Sequence, residues 1–72
     1  MAECIQCHLA LVESCGAVVE VVQRGEVIRK ASLFGLHQRC AREWARAETE
    51  RLRETYGDDS NFSFAACVEV EH

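Results

Sequence analysis

The amino-acid sequence predicts a small α+β domain, and three observations carry that expectation. Cys4 and Cys7 are separated by two residues, as are His37 and Cys40, with 29 residues between the two pairs. Residues 17–23 are rich in β-branched valine, and residues 26–33 follow directly across Arg24-Gly25. Residues 37–56 are dominated by Ala, Arg, Glu and Leu, which favour helix. With only 72 residues, residues 1–72 form a single domain. A chain this short buries a modest fraction of its surface, so a metal, disulfides or a partner is expected to supplement the core.

The first element, residues 1–16, holds Cys4-Ile5-Gln6-Cys7. Two such pairs of soft or borderline ligands suit a closed tetrahedral zinc site. No charged-then-apolar leader opens the chain, so the expected location is cytoplasmic. There thiols stay reduced and cysteines are read as ligands before disulfides. The cysteine count of five is odd, which argues against a complete disulfide framework. Cys15 and Cys67 read as core residues, Cys67 on the more exposed face of its strand. Cys4-Ile5-Gln6-Cys7-His8 also matches the c-type haem attachment pattern. The only methionine is Met1, and valine-rich strands follow, so the confirming context is missing.

The second element is a hairpin over residues 17–34, with Arg24-Gly25 as a two-residue loop. The four glycines, at 16, 25, 35 and 57, read as boundaries between elements. The third is a helix over residues 37–56, about five turns long. Ala41, Trp44, Ala45, Leu52 and Tyr56 fall on one side of it. Arg39, Arg42, Glu43, Arg46, Glu50, Arg53 and Glu54 fall on the other. Gly57 suits the helix C-terminus, and Asp58-Asp59-Ser60-Asn61 suits a loop. The fourth is a strand over residues 62–70. Phe62, Phe64, Ala66, Val68 and Val70 alternate with Ser63, Ala65, Cys67 and Glu69, as in a half-buried strand. It is expected to join the hairpin or cover the helix.

The hairpin returns the chain so that Cys4 and Cys7 can meet His37 and Cys40, which share a face in the first helical turn. A zinc-binding turn, a β-hairpin and a helix start around one ion resemble a treble-clef zinc finger over roughly residues 4–56. The Cys-x2-Cys-x29-His-x2-Cys spacing is similar to that of poly(ADP-ribose) polymerase-type fingers and of the first half of LIM domains. The resemblance implies the fold and one structural Zn²⁺ held by Cys4, Cys7, His37 and Cys40. It does not imply DNA binding. The basic and apolar loop residues that polymerase-type fingers set against DNA ends have no counterpart in this valine-rich segment.

Function is less legible. Net charge is -4, and three thiolates with one dication make it one unit more negative, so phosphate backbones are not generally attracted. No apolar run approaches the roughly 20 residues of a membrane span. Four ligands leave no open metal position, and neither His-x-Glu nor His-Glu-x-x-His is present. A non-enzymatic module that binds a protein partner is therefore expected. The alternative is a nucleic-acid-binding finger that uses Arg39, Arg42, Arg46 and Arg53, which lie within about 60° on the helix, together with the hairpin tip at Arg24, Arg29 and Lys30. Arg39–Glu43, Arg46–Glu50 and Glu50–Arg53 have salt-bridge spacing, which also fits a solvated face. Glu48 sits between Trp44 and Leu52 on the apolar side, where a lone carboxylate is costly. It suggests either a bond to the sheet or a face only partly covered, in which case Trp44, Leu52 and Tyr56 would offer an apolar patch to a partner. The preferred reading is that all three belong to the core. The terminal strand, guarded only by Glu69 and Glu71, is a further candidate surface for a partner's strand or a homodimer.

Overall fold

The computed structural model describes residues 2–57 and 61–70. Most of the expected loop, Asp58 to Ser60, and the edge guard Glu71 lie outside the described residues. The element order is β1 (Cys15–Gln23), β2 (Glu26–Leu36), α1 (Gln38–Tyr56) and β3 (Phe62–Val70).

β1 and β2 form the expected antiparallel hairpin. Arg24 and Gly25 both have positive φ, at 52° and 82°, as a two-residue type I′ turn requires to match the strand twist. β3 pairs antiparallel with β1, so the sheet order is β2-β1-β3. The valine-rich strand is thus central. Val19 and Val21 are fully buried, and each contributes about 1.5–3 kcal/mol of hydrophobic stabilisation.

Both hairpin strands run beyond residues 17–34, because Gly16 and Gly35 lie inside strands rather than between elements. At Gly16 the constraint is close approach. The Phe34 ring covers this position, and a Cβ there would stand 2.0 Å from Phe34 Cδ1. At Gly35 the constraint is conformational. It has φ of 84° and is the extra residue where the β1–β2 register shifts between Cys15 and Gly16. Such a bulge turns the strand and favours glycine. Leu36 then enters the core, fully buried.

One helix covers one face of the sheet. Cys40, Ala41, Ala45 and Leu52 are its buried residues, and they meet the face formed by Cys15, Ala17, Val19 and Val21. The small side chains of Ala17, Ala41 and Ala45 let the helix come close to the valines. The helix lies mainly over β1 and β3 and less over β2. Leu52 is buried, and Trp44 and Tyr56 are half-buried against the core. Tyr56 lies 5.3 Å, centroid to centroid, from Phe62. These three residues wall the core rather than form an open patch. The helix starts at Gln38 and not at 37, because His37 is its N-cap with ψ of 156°. At the other end the Gly57 N–H donates to Arg53 O at 2.7 Å.

The alternation in β3 holds. Phe62, Phe64, Ala66, Val68 and Val70 are registered with the helix-facing positions of β1. Ala66 and Val70 remain exposed, Ala66 at the floor of a groove beside the helix. No described helix is long and apolar enough to cross a membrane.

Gly16→Ala is expected to cost about 1–3 kcal/mol, the usual range for overpacking, as read from the denaturant midpoint. Phe34→Ala in the same chain is expected to recover most of that loss, since the two residues share one contact. An additive double variant would show that the ring is not the obstacle.

Candidate metal centre

The N-terminal turn is built by backbone hydrogen bonds. The Cys4 N–H donates to Leu9 O at 2.9 Å, and the His8 N–H donates to Cys4 O at 2.9 Å. Glu3 and Ala10 form an antiparallel bridge. The Ile5 N–H donates to Gly35 O at 3.1 Å, so the bulge in β2 anchors the turn. His8 closes the turn at φ of 64°, a left-handed conformation that an L-residue with a side chain adopts at a cost.

The second half comes from the helix start. His37 caps the helix, and the Ala41 N–H donates to His37 O at 2.8 Å. Cys40 lies in the first turn, on the same side as His37. The ligand atoms of Cys4, Cys7, His37 and Cys40 all lie within 4.8 Å of one another. Cys7 Sγ is 3.3 Å from His37 Nδ1. Metal–ligand bonds of about 2.0–2.3 Å place tetrahedral ligands about 3.3–3.8 Å apart, so the cluster is close to the size of such a shell.

The imidazole is oriented for ligation. His37 Nε2 lies 3.0 Å from Ala10 O. A carbonyl can only accept, so Nε2 carries the proton and donates. Nδ1 is then the bare nitrogen, and it faces the sulfurs. A ligand histidine is commonly fixed in this way by a partner on its other nitrogen.

The sulfurs differ in their surroundings. Cys4 and Cys40 are buried, while Cys7 is exposed. Burial acts to raise the Cys4 thiol. The backbone groups of Cys7, His37 and Gln6, with the Cys7 side chain, outweigh it and bring the thiol down to about 5. Burial, reinforced by the neighbouring sulfurs of Cys4 and Cys7, pushes Cys40 up to about 11. Three sulfurs this close cannot all be anionic without a cation among them. Three thiols and an oriented imidazole in one compact cluster fit Zn²⁺, for which four such ligands would fill a tetrahedral shell and leave no coordination position open.

The four residues singled out from spacing therefore meet. Cys15 does not join them. It is buried in the core at the start of β1. Cys67 is exposed, with its S–H donating to Glu69 Oε1 at 3.8 Å. The haem pattern lacks its context here too, because fully buried Cys4 presents no sulfur to a porphyrin edge. Three supporting features had no usable sequence signal: the Ala10 carbonyl, the backbone conformation of His8, and the bond from Gln6 Nε2 to Glu43 Oε2 at 3.1 Å.

The helix charges are arranged differently from the expected ladder. Arg39–Glu43, Arg46–Glu50 and Glu50–Arg53 do not close as ion pairs. Glu48 instead pairs with Arg51 at 3.3 Å, its own side chain 13% exposed. Being half-buried and paired, it needs no bond to the sheet. Arg53 lies over the Phe64 ring at 5.5 Å. Arg42, Arg46 and Arg53 line a groove between α1 and β3. Arg39 lies beside Cys7 and His37 and also shares a smaller hollow with Arg42, Glu43 and Arg46.

No family model, curated protein or solved structure matches the chain.

Cys40→Ala is expected to abolish metal retention and cooperative unfolding, because structural zinc commonly supplies on the order of 10 kcal/mol to folding. Metal analysis with far-UV circular dichroism reads both effects. A variant that keeps its metal and its melting transition would remove Cys40 from the shell. His8→Gly relieves the left-handed strain and is expected to stabilise the metal-loaded domain by about 1 kcal/mol. Chemical denaturation measures this, and His8→Ala, which retains the strain, serves as the control.

Proposed function

We propose that this chain is a non-enzymatic protein-interaction module of treble-clef type, held together by one structural zinc. The supporting observation is the placement of the four ligand atoms. They come from two segments far apart in sequence and lie within 4.8 Å of one another. A metal held there ties the N-terminal turn to the start of α1. A complete shell of three sulfurs and one nitrogen would leave no site for an activated water, so the metal's contribution is mechanical. Function then falls to the surfaces that the metal holds in place, namely the outer faces of α1 and the edges of the sheet.

Nucleic-acid binding is the second reading. It is favoured by Arg42 and Arg46, which have no ion-pair partner among the described residues. It is opposed by the net charge of -4.

Affinity capture from nuclease-treated lysate, at low and raised salt, tests the choice. The expected result is one or more proteins retained after nuclease treatment and lost when a chelator strips the metal. Retention that disappears with nuclease and falls steeply with salt would replace this reading with the second. Capture that is indifferent to the chelator would separate the interaction from the metal.

A further inference from the structure

The outer edge of β3 differs from that of β2. Both are edges of the sheet. β2 shifts register twice against β1, and Arg29 and Lys30 lie within it. Bulges and basic residues of this kind discourage a further strand. β3 runs nine residues, Phe62–Val70, with no register shift against β1 and no proline or basic residue. Beside this open edge lies the groove between α1 and β3, with a volume of about 500 Å³. Its floor is apolar, from Ala66 and Val68. Its helix wall presents Arg42, Arg46 and Arg53, with Glu50 as the only acid in the lining. Arg42 and Arg46 make no ion pair with any described residue, and the Arg53 guanidinium lies over the Phe64 ring. A positive wall of this sort is local, on a chain of net charge -4.

We propose that an extended acidic peptide segment of a partner protein docks as a fourth strand on β3, with its carboxylates meeting Arg42, Arg46 and Arg53. This inference rests on the interaction-module reading and gives it a surface and a partner chemistry. An added strand places every second side chain toward the helix, about 6.7 Å apart. Arg42 and Arg46 are one helical turn apart, about 6 Å along the axis. Acids at alternate positions of the peptide therefore match the first two arginines, and the backbone pairs with the free edge of β3. Main-chain bonds supply affinity and the arginines select charge, as in other cases of strand addition. A nucleic-acid strand would bring charge to the arginines, but it has no amide groups to pair with the edge. A second copy of this chain would bring a further set of Arg42, Arg46 and Arg53 against the first.

The test is an NMR titration of the zinc-loaded protein with a peptide of about eight residues, a usual strand length, alternating aspartate and valine. The expected result is shifts in the amides of residues 63–69 and in the Arg42 and Arg46 side chains. R42E/R46E should weaken binding at least about tenfold, since two charge-assisted contacts are reversed, whereas R29E, on the opposite edge strand β2, should leave it within about twofold. These arginines are exposed, and retained metal with an unchanged circular dichroism spectrum confirms that the variants fold. Unmoved β3 amides, equal binding of a lysine–valine peptide, tighter binding of a single-stranded oligonucleotide at the same arginines, or dimerisation through β3 would each overturn the proposal. If R42E/R46E still captures the chelator-sensitive partners from lysate, the module reading survives and this surface does not.

Discussion

The rest of the structure depends on a joint between two chain segments that have little else to hold them together. The N-terminal turn is small, most of its side chains are exposed, and its firmest backbone tie to the sheet is the bond from Ile5 to Gly35. The first turn of α1 lacks a side-chain cap. Cys4, Cys7, His37 and Cys40 bring these two weak ends to one point. The core beneath is thin: only Leu36, Val19, Val21 and Cys4 are both fully buried and of appreciable size. A domain of this length with such a core is marginal by itself, and a filled metal shell changes that balance more than any single packing contact does.

The same joint sets the direction of the helix. His37 leaves the sheet in extended conformation and turns its ring toward the sulfurs, while Leu36 just before it enters the core. The helix begins at Gln38, with only His37 between it and the edge strand β2, and lies mainly over β1 and β3. Ala41 and Ala45 bring it close, and its arginine side falls beside β3. Arg42 and Arg46 on that side make no ion pair with any described residue. The one ion pair among the described residues, Glu48–Arg51, lies elsewhere on the helix. A helix that starts at the candidate metal cluster and holds Arg42 and Arg46, without ion-pair partners among the described residues, beside an open strand edge links the fold to the proposed interaction.

The hairpin, the helix and the alternating last strand were legible because each follows from local rules. Arg24-Gly25 marks a two-residue turn, the run from Gln38 to Tyr56 favours helix, and period-two alternation shows which side of β3 is apolar. The ligand set was legible because spacing and residue type coincide. The misread glycines show the limit. A glycine looks alike in sequence whether it ends a strand, admits a ring from the neighbouring strand as at Gly16, or forms a bulge as at Gly35. The helix charges show a similar limit, because salt-bridge spacing says which pairs can meet and not which do. Gln6 engages Glu43, and Phe64 draws Arg53.

By itself, then, the sequence determined the elements and the four residues that meet, since both are written in short-range patterns of polarity and donor chemistry. Only the tertiary structure decided that β3 lies beside β1, that Ala10 orients His37, and that the arginines gather along the open edge. Each of these depends on which of several equivalent surfaces comes to lie next to another. That choice is made by packing residues distant in the chain, where no local pattern distinguishes the alternatives.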